Sequence, residues 1–267
     1  MTPDTPTTPS PALAVPVHLE VADHVATVVL NNPPVNATSV AMRLRLLEIF
    51  DELHDRTDVR VVVLTAHGKV FCAGADLKGR PDIRQPGQLP AHNRMAREVG
   101  DAIRHCSKPG IGAVNGAALG AGLVLAAACD ILIAAEDAVF AMPEIDVGLP
   151  GGVAALEGLV GRATLRHMVF TGARLSAQEF HRLGVLRMVV PKAELMNEAQ
   201  AMARQIAAKS PVALKYAKQT CNYVALMPAL DRFRFEQSFV YDAFKSEDAQ
   251  EALKAFAEKR PPNFTGR

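Results

Sequence analysis

Two stretches of small residues could do chemistry with their backbones. The first is Lys69-Val-Phe-Cys-Ala-Gly-Ala-Asp-Leu-Lys78, where Ala73, Gly74 and Ala75 stand together. The second is Asn115-Gly-Ala-Ala-Leu-Gly-Ala-Gly122, which leads into the apolar run Leu123 to Cys129. Small side chains leave main-chain N–H groups within reach of a ligand, and free N–H groups at a helix start attract negative charge. Brought together, two such loops would make an oxyanion hole. The same composition also serves close packing, and spacing alone does not choose between the two. Cys72, in the first loop, reads as a small buried residue rather than a nucleophile. Other nucleophile and phosphate signatures are missing. There is no GxSxG, no HExxH and no GxxxxGK[ST], since Val70 follows Gly68-Lys69. Gly110-Ile-Gly112-Ala-Val-Asn115 lacks the third glycine of a dinucleotide fingerprint and precedes a strand-like run instead of following one. The eight histidines are scattered, and none is assigned a catalytic role.

The elements that must hold these loops alternate in type. Val25 to Asn31 and Val59 to Ala66 are rich in β-branched residues and read as strands; Ile111 to Val114 and Ile131 to Ala134 are short buried runs. Ser39 to Asp55 reads as a helix with Leu46, Ile49, Phe50 and Leu53 on one face. This alternation argues for an α/β architecture. Residues 80–93 read as a mobile loop. Ser176 and Glu179 have the spacing of a capping box. After about Leu195 the strand signal ends, and the spacing predicts helices over Glu194–Lys209, Pro211–Tyr223, Pro228–Phe244 and Ser246–Lys259. Pro211 and Pro228 suit first-turn positions. The expected organisation is a Pro- and Thr-rich disordered tail at 1–16, an α/β core at 17–195 and a helical region at 196–267.

Composition narrows the partners. Of 267 residues, 49% are hydrophobic and 21% charged, which excludes wholesale disorder. Twenty-nine Lys and Arg face 28 Asp and Glu, a net charge of +1, and there is no Trp. Balanced charge and few stacking rings argue against a nucleic-acid partner. Cys72, Cys106, Cys129 and Cys221 form neither a CxxC pair nor a zinc pattern, so no metal is expected and reduced thiols point to the cytoplasm. The N-terminus has no basic and apolar run of the secretory kind. Pro109 to Cys129 is uncharged and long enough to suggest a membrane span, but glycine, Asn115 and abundant alanine fit a buried strand, turn and helix better.

VFCAGADLK followed by AVNGAALGAGLVLAAACDILIAAEDAVFAMPEIDVGLPGG resembles the crotonase, or enoyl-CoA hydratase/isomerase, family. The resemblance runs from about Val17 to the end and includes TVVLNNPPVNATS, TGARLSAQEFHRLGVLRMVVP, SPVALKYAKQ and SEDAQEALKAFAEKRPPNF. It implies an α/β fold of repeated ββα units whose C-terminal helices build a homotrimer or a dimer of trimers. It implies a coenzyme A thioester as substrate and no separate cofactor. The oxyanion donors would be the backbones of Ala75 and Ala121, the latter standing where many members have the middle glycine of a GGG. Val35, Ala73, Gly74, Asp76, Leu77, Lys78, Gly120, Val124, Met142 and Lys259 would line the substrate or its coenzyme. Of these, Lys78 would approach the nucleotide and Lys259 the phosphates of a neighbouring subunit's ligand. Asp76 reads as a residue that fixes the loop, and Asp130 as structural.

Family hydratases use two glutamates. Here the first falls on Val124 and the second on Glu144, in Met142-Pro143-Glu144. A lone base can take a proton from one carbon and return it to another, as double-bond isomerisation requires. Some isomerases of the family pair this glutamate with an aliphatic residue. Hydratase-lyases on aromatic enoyl-CoA thioesters can also retain it alone, and a non-catalytic acyl-CoA- or RNA-binding relative is the reading from another class. Dienoyl isomerases carry an Asp eight positions after the glutamate, which is Gly152 here. Phe140, Met142 and Val124 predict an apolar site that raises the Glu144 pKa.

Overall fold

The computed structural model describes residues 15–76, 79, 81–82 and 84–267. The chain opens with a hairpin of β1 (Val17–Ala22) and β2 (Val25–Leu30). Its two-residue turn, Asp23-His24, has positive φ at both positions, the twist that suits a tight antiparallel hairpin. Helix α1 (Val40–Asp55) follows, started by the Ser39 hydroxyl, which accepts the Met42 N–H.

Three further units repeat the pattern. Strands β3 (Val61–Ala66) and β4 (Val70–Cys72) precede α2 (Gln88–His105); β5 (Gly110–Val114) and β6 (Ala117–Leu119) precede α3 (Ala121–Ala127). Strands β7 (Ile131–Ala135) and β8 (Val139–Ala141) lead into a 3-10 turn at Pro143–Val147 and the short helices α4 (Val153–Leu156) and α5 (Arg162–Thr171). Next come β9 (Leu175–Ser176), α6 (Ala177–Arg182) and β10 (Met188–Val190). Each of these three units sends its first strand to the larger sheet and its second to the smaller. The larger sheet has the order β1-β2-β3-β5-β7-β10, parallel except for the β1–β2 pair; the smaller has the order β4-β6-β8-β9. This is the ββα fold that the resemblance implies.

Strand periodicity decides which layer each side chain enters. In β3, Val62 and Leu64 join Met42, Leu46, Phe50 and Leu53 of α1 in the main core. Val61 and Val63 face the other way and meet Leu195, Ala199, Ala203 and Ala207 of α7 (Leu195–Ala207). An alanine every fourth residue lets that helix lie close against the sheet. Buried Asn115 donates to Ala66 O and Gly68 O at 2.8 and 2.9 Å, tying β5 to the β3–β4 turn.

The uncharged 109–129 stretch is the strand, turn and helix expected of it, and no helix among the described residues is long and apolar enough to cross a membrane. Some of its glycines do serve close packing. A Cβ on Gly112 would lie 2.5 Å from Leu132 Cδ2, and one on Gly116 would overlap the Lys69 carbonyl. Ser176 and Glu179 form the predicted capping box, with Glu179 N–H donating to Ser176 Oγ at 3.2 Å and Ser176 N–H to Glu179 Oε2 at 2.8 Å.

From Leu195 onward the chain is helical: α7, α8 (Pro211–Val224), α9 (Ala229–Phe244) and α10 (Glu247–Glu258). Pro211 occupies the first turn of α8, whereas Pro228 stands one step earlier, as the N-cap of α9. Lys218 of α8 is buried and pairs with Asp130 Oδ2 at 2.9 Å, and its Nζ also donates to Lys108 O at 2.9 Å. Asp130 Oδ2 accepts the Gly110 N–H at 2.6 Å as well, so Asp130 has the structural role read for it. All four cysteines are free; Cys72 and Cys106 are buried, and Cys221 is exposed on α8. One expectation needs correction. Residues 80–93 are not a continuous loop, because α2 begins at Gln88 after a left-handed Gly87. Pro90 falls in its first turn, where a missing N–H costs nothing.

Candidate active site

The first loop is held on one side by the chain that precedes α1. Thr38 N–H donates to Gly74 O at 2.8 Å, and Asp76 N–H donates to Thr38 O at 3.4 Å. These two bonds bracket Ala75 in a parallel bridge with Thr38. A bracketed residue turns its own N–H to the opposite side, so the Ala75 N–H points away from Thr38. Val35 lies beneath the same loop, its carbonyl accepting the Ala73 N–H at 3.0 Å. Gly74 makes the turn at a φ of +108°.

The second loop approaches from that opposite side. A Cβ on Gly74 would sit 3.2 Å from Leu119 O and 3.9 Å from Ala121 N, so the loops are in contact. Gly122 is pressed against Cys72, whose carbonyl a Cβ there would overlap. Ala121 opens α3, and the first N–H groups of a helix have no acceptor within it. The next turn is committed, since Val124 N–H donates to Gly120 O at 3.0 Å.

Pairing of β8 with β6 sets Ala141 opposite Leu119, and the Gly120 N–H donates to Ala141 O at 2.9 Å. Met142, Pro143 and Glu144 therefore emerge beside Gly120. A Cβ on Gly120 would lie 2.5 Å from Glu144 Oε1, and one on Gly151 would lie 3.0 Å from Glu144 Cγ. The carboxylate thus rests between two glycines, with Gly120 at a φ of +52°. Its Oε2 is buried and has no hydrogen-bond partner among the described residues. Burial pushes the Glu144 carboxyl above its ordinary 4.5, its own backbone N–H opposes this in part, and no neighbouring charge contributes. Such a group can accept a proton near neutral pH more readily than an exposed glutamate.

The surroundings are apolar. Met142 and Phe140 are buried, and Phe140 stacks on Phe180 with ring centroids 4.4 Å apart. Val124 is half-buried against the main core, and a Cβ on Gly100 of α2 would come 3.9 Å from its Cγ1. A carboxylate at position 152 has no room, because a Cβ on Gly152 would lie 2.5 Å from Met142 Cγ and Sδ. Cys72 is no nucleophile: burial pushes its thiol up to about 11.

The fold gathers Val35, Ala73, Gly74, Ala75, Asp76, Gly120, Ala121, Met142 and Glu144 around these two loops. Leu77 and Lys78 lie outside the described residues. Lys259 is elsewhere, exposed at the left-handed C-cap of α10. The sequence reading passed over Thr38, whose backbone orients Ala75, and Gly151, which makes room for Glu144. It also passed over Arg43 of α1, whose guanidinium donates to Thr38 Oγ1 at 3.3 Å. Its place three residues before Leu46 on the buried helix face was the available signal. Among the described residues no cluster of three or more His, Cys, Asp or Glu could hold a metal ion.

Known proteins share this sequence pattern and this fold. Residues 20–267 match the family described as "Enoyl-CoA hydratase/isomerase". A putative enoyl-CoA hydratase/isomerase, YngF of Bacillus subtilis, is 35% identical over 251 residues, covering 91% of this chain and 95% of that protein. Carnitinyl-CoA dehydratase of Salmonella enteritidis is 36% identical over 259 residues, covering 94% and 98%. Among solved structures, an enoyl-CoA hydratase from Bacillus anthracis superposes with a TM-score of 0.90 at 32% identity, covering 94% of this chain and 100% of that one.

Proposed function

The chain belongs to the enoyl-CoA hydratase/isomerase family, and from that premise we propose that it moves a proton on an acyl-CoA thioester with a single carboxylate, Glu144. The Ala75 and Ala121 N–H groups hold the thioester oxygen. Glu144 removes a proton from C2 of a 3-enoyl-CoA, and the electron pair passes to the oxygen, giving a dienolate. The protonated Glu144 then delivers its proton to C4, and the double bond comes to rest between C2 and C3. Fixed donors stabilise the developing charge without reorganising, an effect on the order of 3 kcal/mol per donor. Proton transfer of this kind needs no redox group, and coenzyme A enters as part of the substrate.

The observation that carries this reading is the unpartnered, buried Glu144 Oε2, set beside the loop that starts α3, with Val124 where hydratases keep a second glutamate. Isomerisation uses the same carboxylate as base and acid and needs no second one. The carnitinyl-CoA dehydratase relatives favour a second reading. There Glu144 takes the C2 proton of a 3-hydroxyacyl-CoA and returns it to the departing hydroxyl, releasing water. Aromatic hydratase-lyase chemistry is a variant of that reading.

We further propose that Lys78 and Lys259 approach the coenzyme, Lys259 across a subunit boundary, in a trimer or dimer of trimers located in the cytoplasm. The exposed apolar residues of α9 and α10, such as Leu230, Phe233 and Phe256, support assembly through these helices.

One incubation separates the readings. Purified protein is given a 3-enoyl-CoA in D2O, and the product is followed by mass and by conjugated-thioester absorbance. A conjugated product with no added water is the expected result, and any deuterium at C4 measures how far the Glu144 proton exchanges with solvent before it is delivered. A product heavier by one water assigns the chain to hydration. Binding without deuterium uptake or conversion, across straight-chain, branched and aromatic 3-enoyl thioesters, overturns the catalytic reading.

A further inference from the structure

Arg43 is a buried cation that the proton transfer does not use. It lies in the first turn of α1 and is 4% exposed. Its Nη2 donates to Thr38 Oγ1 at 3.3 Å. Its Nη1 lies 3.2 Å from Nε2 and 3.4 Å from Nδ1 of His92 on α2. Burial lowers the Arg43 pKa, and the Asp76 carboxylate works against that lowering. Burial, followed by the Arg43 charge, also lowers the pKa of His92, so its imidazole is neutral and able to accept.

A guanidinium taken out of water is costly unless its hydrogen bonds are met, and an apolar residue would fill the same space at lower cost. The partner that repays attention is Thr38. Its backbone makes both bonds that bracket Ala75. Thr38 is itself buried, so its orientation is set by what surrounds it. Arg43 holds its side chain, while its backbone holds the peptides on either side of Ala75.

We propose that Arg43 is a positioning residue, which holds Thr38 and thereby fixes the direction of the Ala75 N–H. This rests on the reading of Ala75 as an oxyanion donor. A donor tilted away from the oxygen loses its value mainly in the transition state, where the charge is largest. Loss of Arg43 therefore lowers kcat and leaves KM nearly unchanged.

The test uses the full chain and 4-dimethylaminocinnamoyl-CoA, a thioester chromophore whose absorbance moves to the red when its carbonyl is polarised. The variants are Arg43→Leu, Arg43→Lys and Thr38→Val, the last removing the acceptor while keeping the shape. Arg43→Leu and Thr38→Val are expected to lose at least half of the red shift at saturation. Their kcat on the wild-type substrate should fall about 10-fold with KM within about 2-fold, a loss smaller than deletion of the donor itself. Arg43→Lys, which keeps a donor and the charge, should recover part of both. If Arg43→Leu does not fold, Thr38→Val decides. A full red shift and unchanged kcat in Thr38→Val, or a rise in KM alone, overturns the role of Arg43. A wild-type protein that binds the probe with no red shift overturns the oxyanion reading itself.

Discussion

Around Glu144 a polar atom is buried without a partner, whereas along α9 and α10 apolar side chains stand in solvent without cover. Oε2 of Glu144 meets no donor. Leu230 and Phe256 are 88% and 87% exposed, and α9 has no buried residue among those described. Both arrangements are unfavourable, for opposite reasons. An unmet buried acceptor costs roughly 1–3 kcal/mol. Exposed apolar surface forgoes about 25 cal/mol per Å². The first is relieved by a proton or a small ligand, the second by another protein surface. Together they mark where chemistry and where assembly are expected.

Replacing Glu144 breaks the first half of this contrast. Glu144→Gln is expected to lower kcat by about 10²–10⁴-fold, the usual span for a lost general base, as read by conjugated-thioester absorbance. The same change should raise stability at neutral pH. The folded-state pKa of Glu144 lies above its ordinary 4.5, so the carboxylate costs stability once pH exceeds the unfolded value. The wild type and Glu144→Gln should therefore have similar melting temperatures near pH 4 and diverge, with the variant higher, as pH rises. Turnover in the wild type should fall on the acid side at a pH above the usual carboxylate range.

Gly120→Ala sharpens the point from the backbone side. Its Cβ would strike Glu144 Oε1, and its φ of +52° disfavours any side chain. Activity should fall about 100-fold, as a displacement near 1 Å can cost, with a stability loss of roughly 1–3 kcal/mol in urea denaturation.

Lys218→Met tests the seam between the two regions. It breaks the pair with Asp130, whose side chain is 25% exposed against 4% for Lys218. A fully buried broken pair costs about 3–5 kcal/mol; partial exposure of Asp130 should bring this to about 2 kcal/mol. Hydrogen exchange should show α8 and α9 opening before the larger sheet does. The mildest change belongs to the uncovered helices. Leu230→Glu and Phe256→Glu should change the unfolding free energy of a single chain by less than about 1 kcal/mol. In sedimentation they should shift any assembly toward the monomer.

Much of the larger sheet could be read directly. β2 and β3 are rich in β-branched residues, and α1 carries its apolar face at helical spacing. The smaller sheet could not. Its strands span two or three residues each, such as Ala117–Leu119, too short for a period to register. The start of α2 was hidden because Gln88, Pro90, His92 and Asn93 look like a loop until Val99 and Ile103 are seen to be buried. At the site, both donors are backbone groups, which no side-chain pattern encodes, and Glu144 stood out through family resemblance alone. Arg43 was passed over because charge is read as solvent-facing, although its place on the helix set it inward.

The cysteines have a practical consequence. Burial holds the Cys72 thiol at about 11 and that of Cys129 at about 12, so neither offers much thiolate to an alkylating reagent at neutral pH. Cys221 stands exposed on α8, near Tyr216 and Phe239. A maleimide should therefore mark the molecule on α8 first. The rate of that marking, compared between dilute and concentrated protein, becomes a footprint of whatever comes to cover this face.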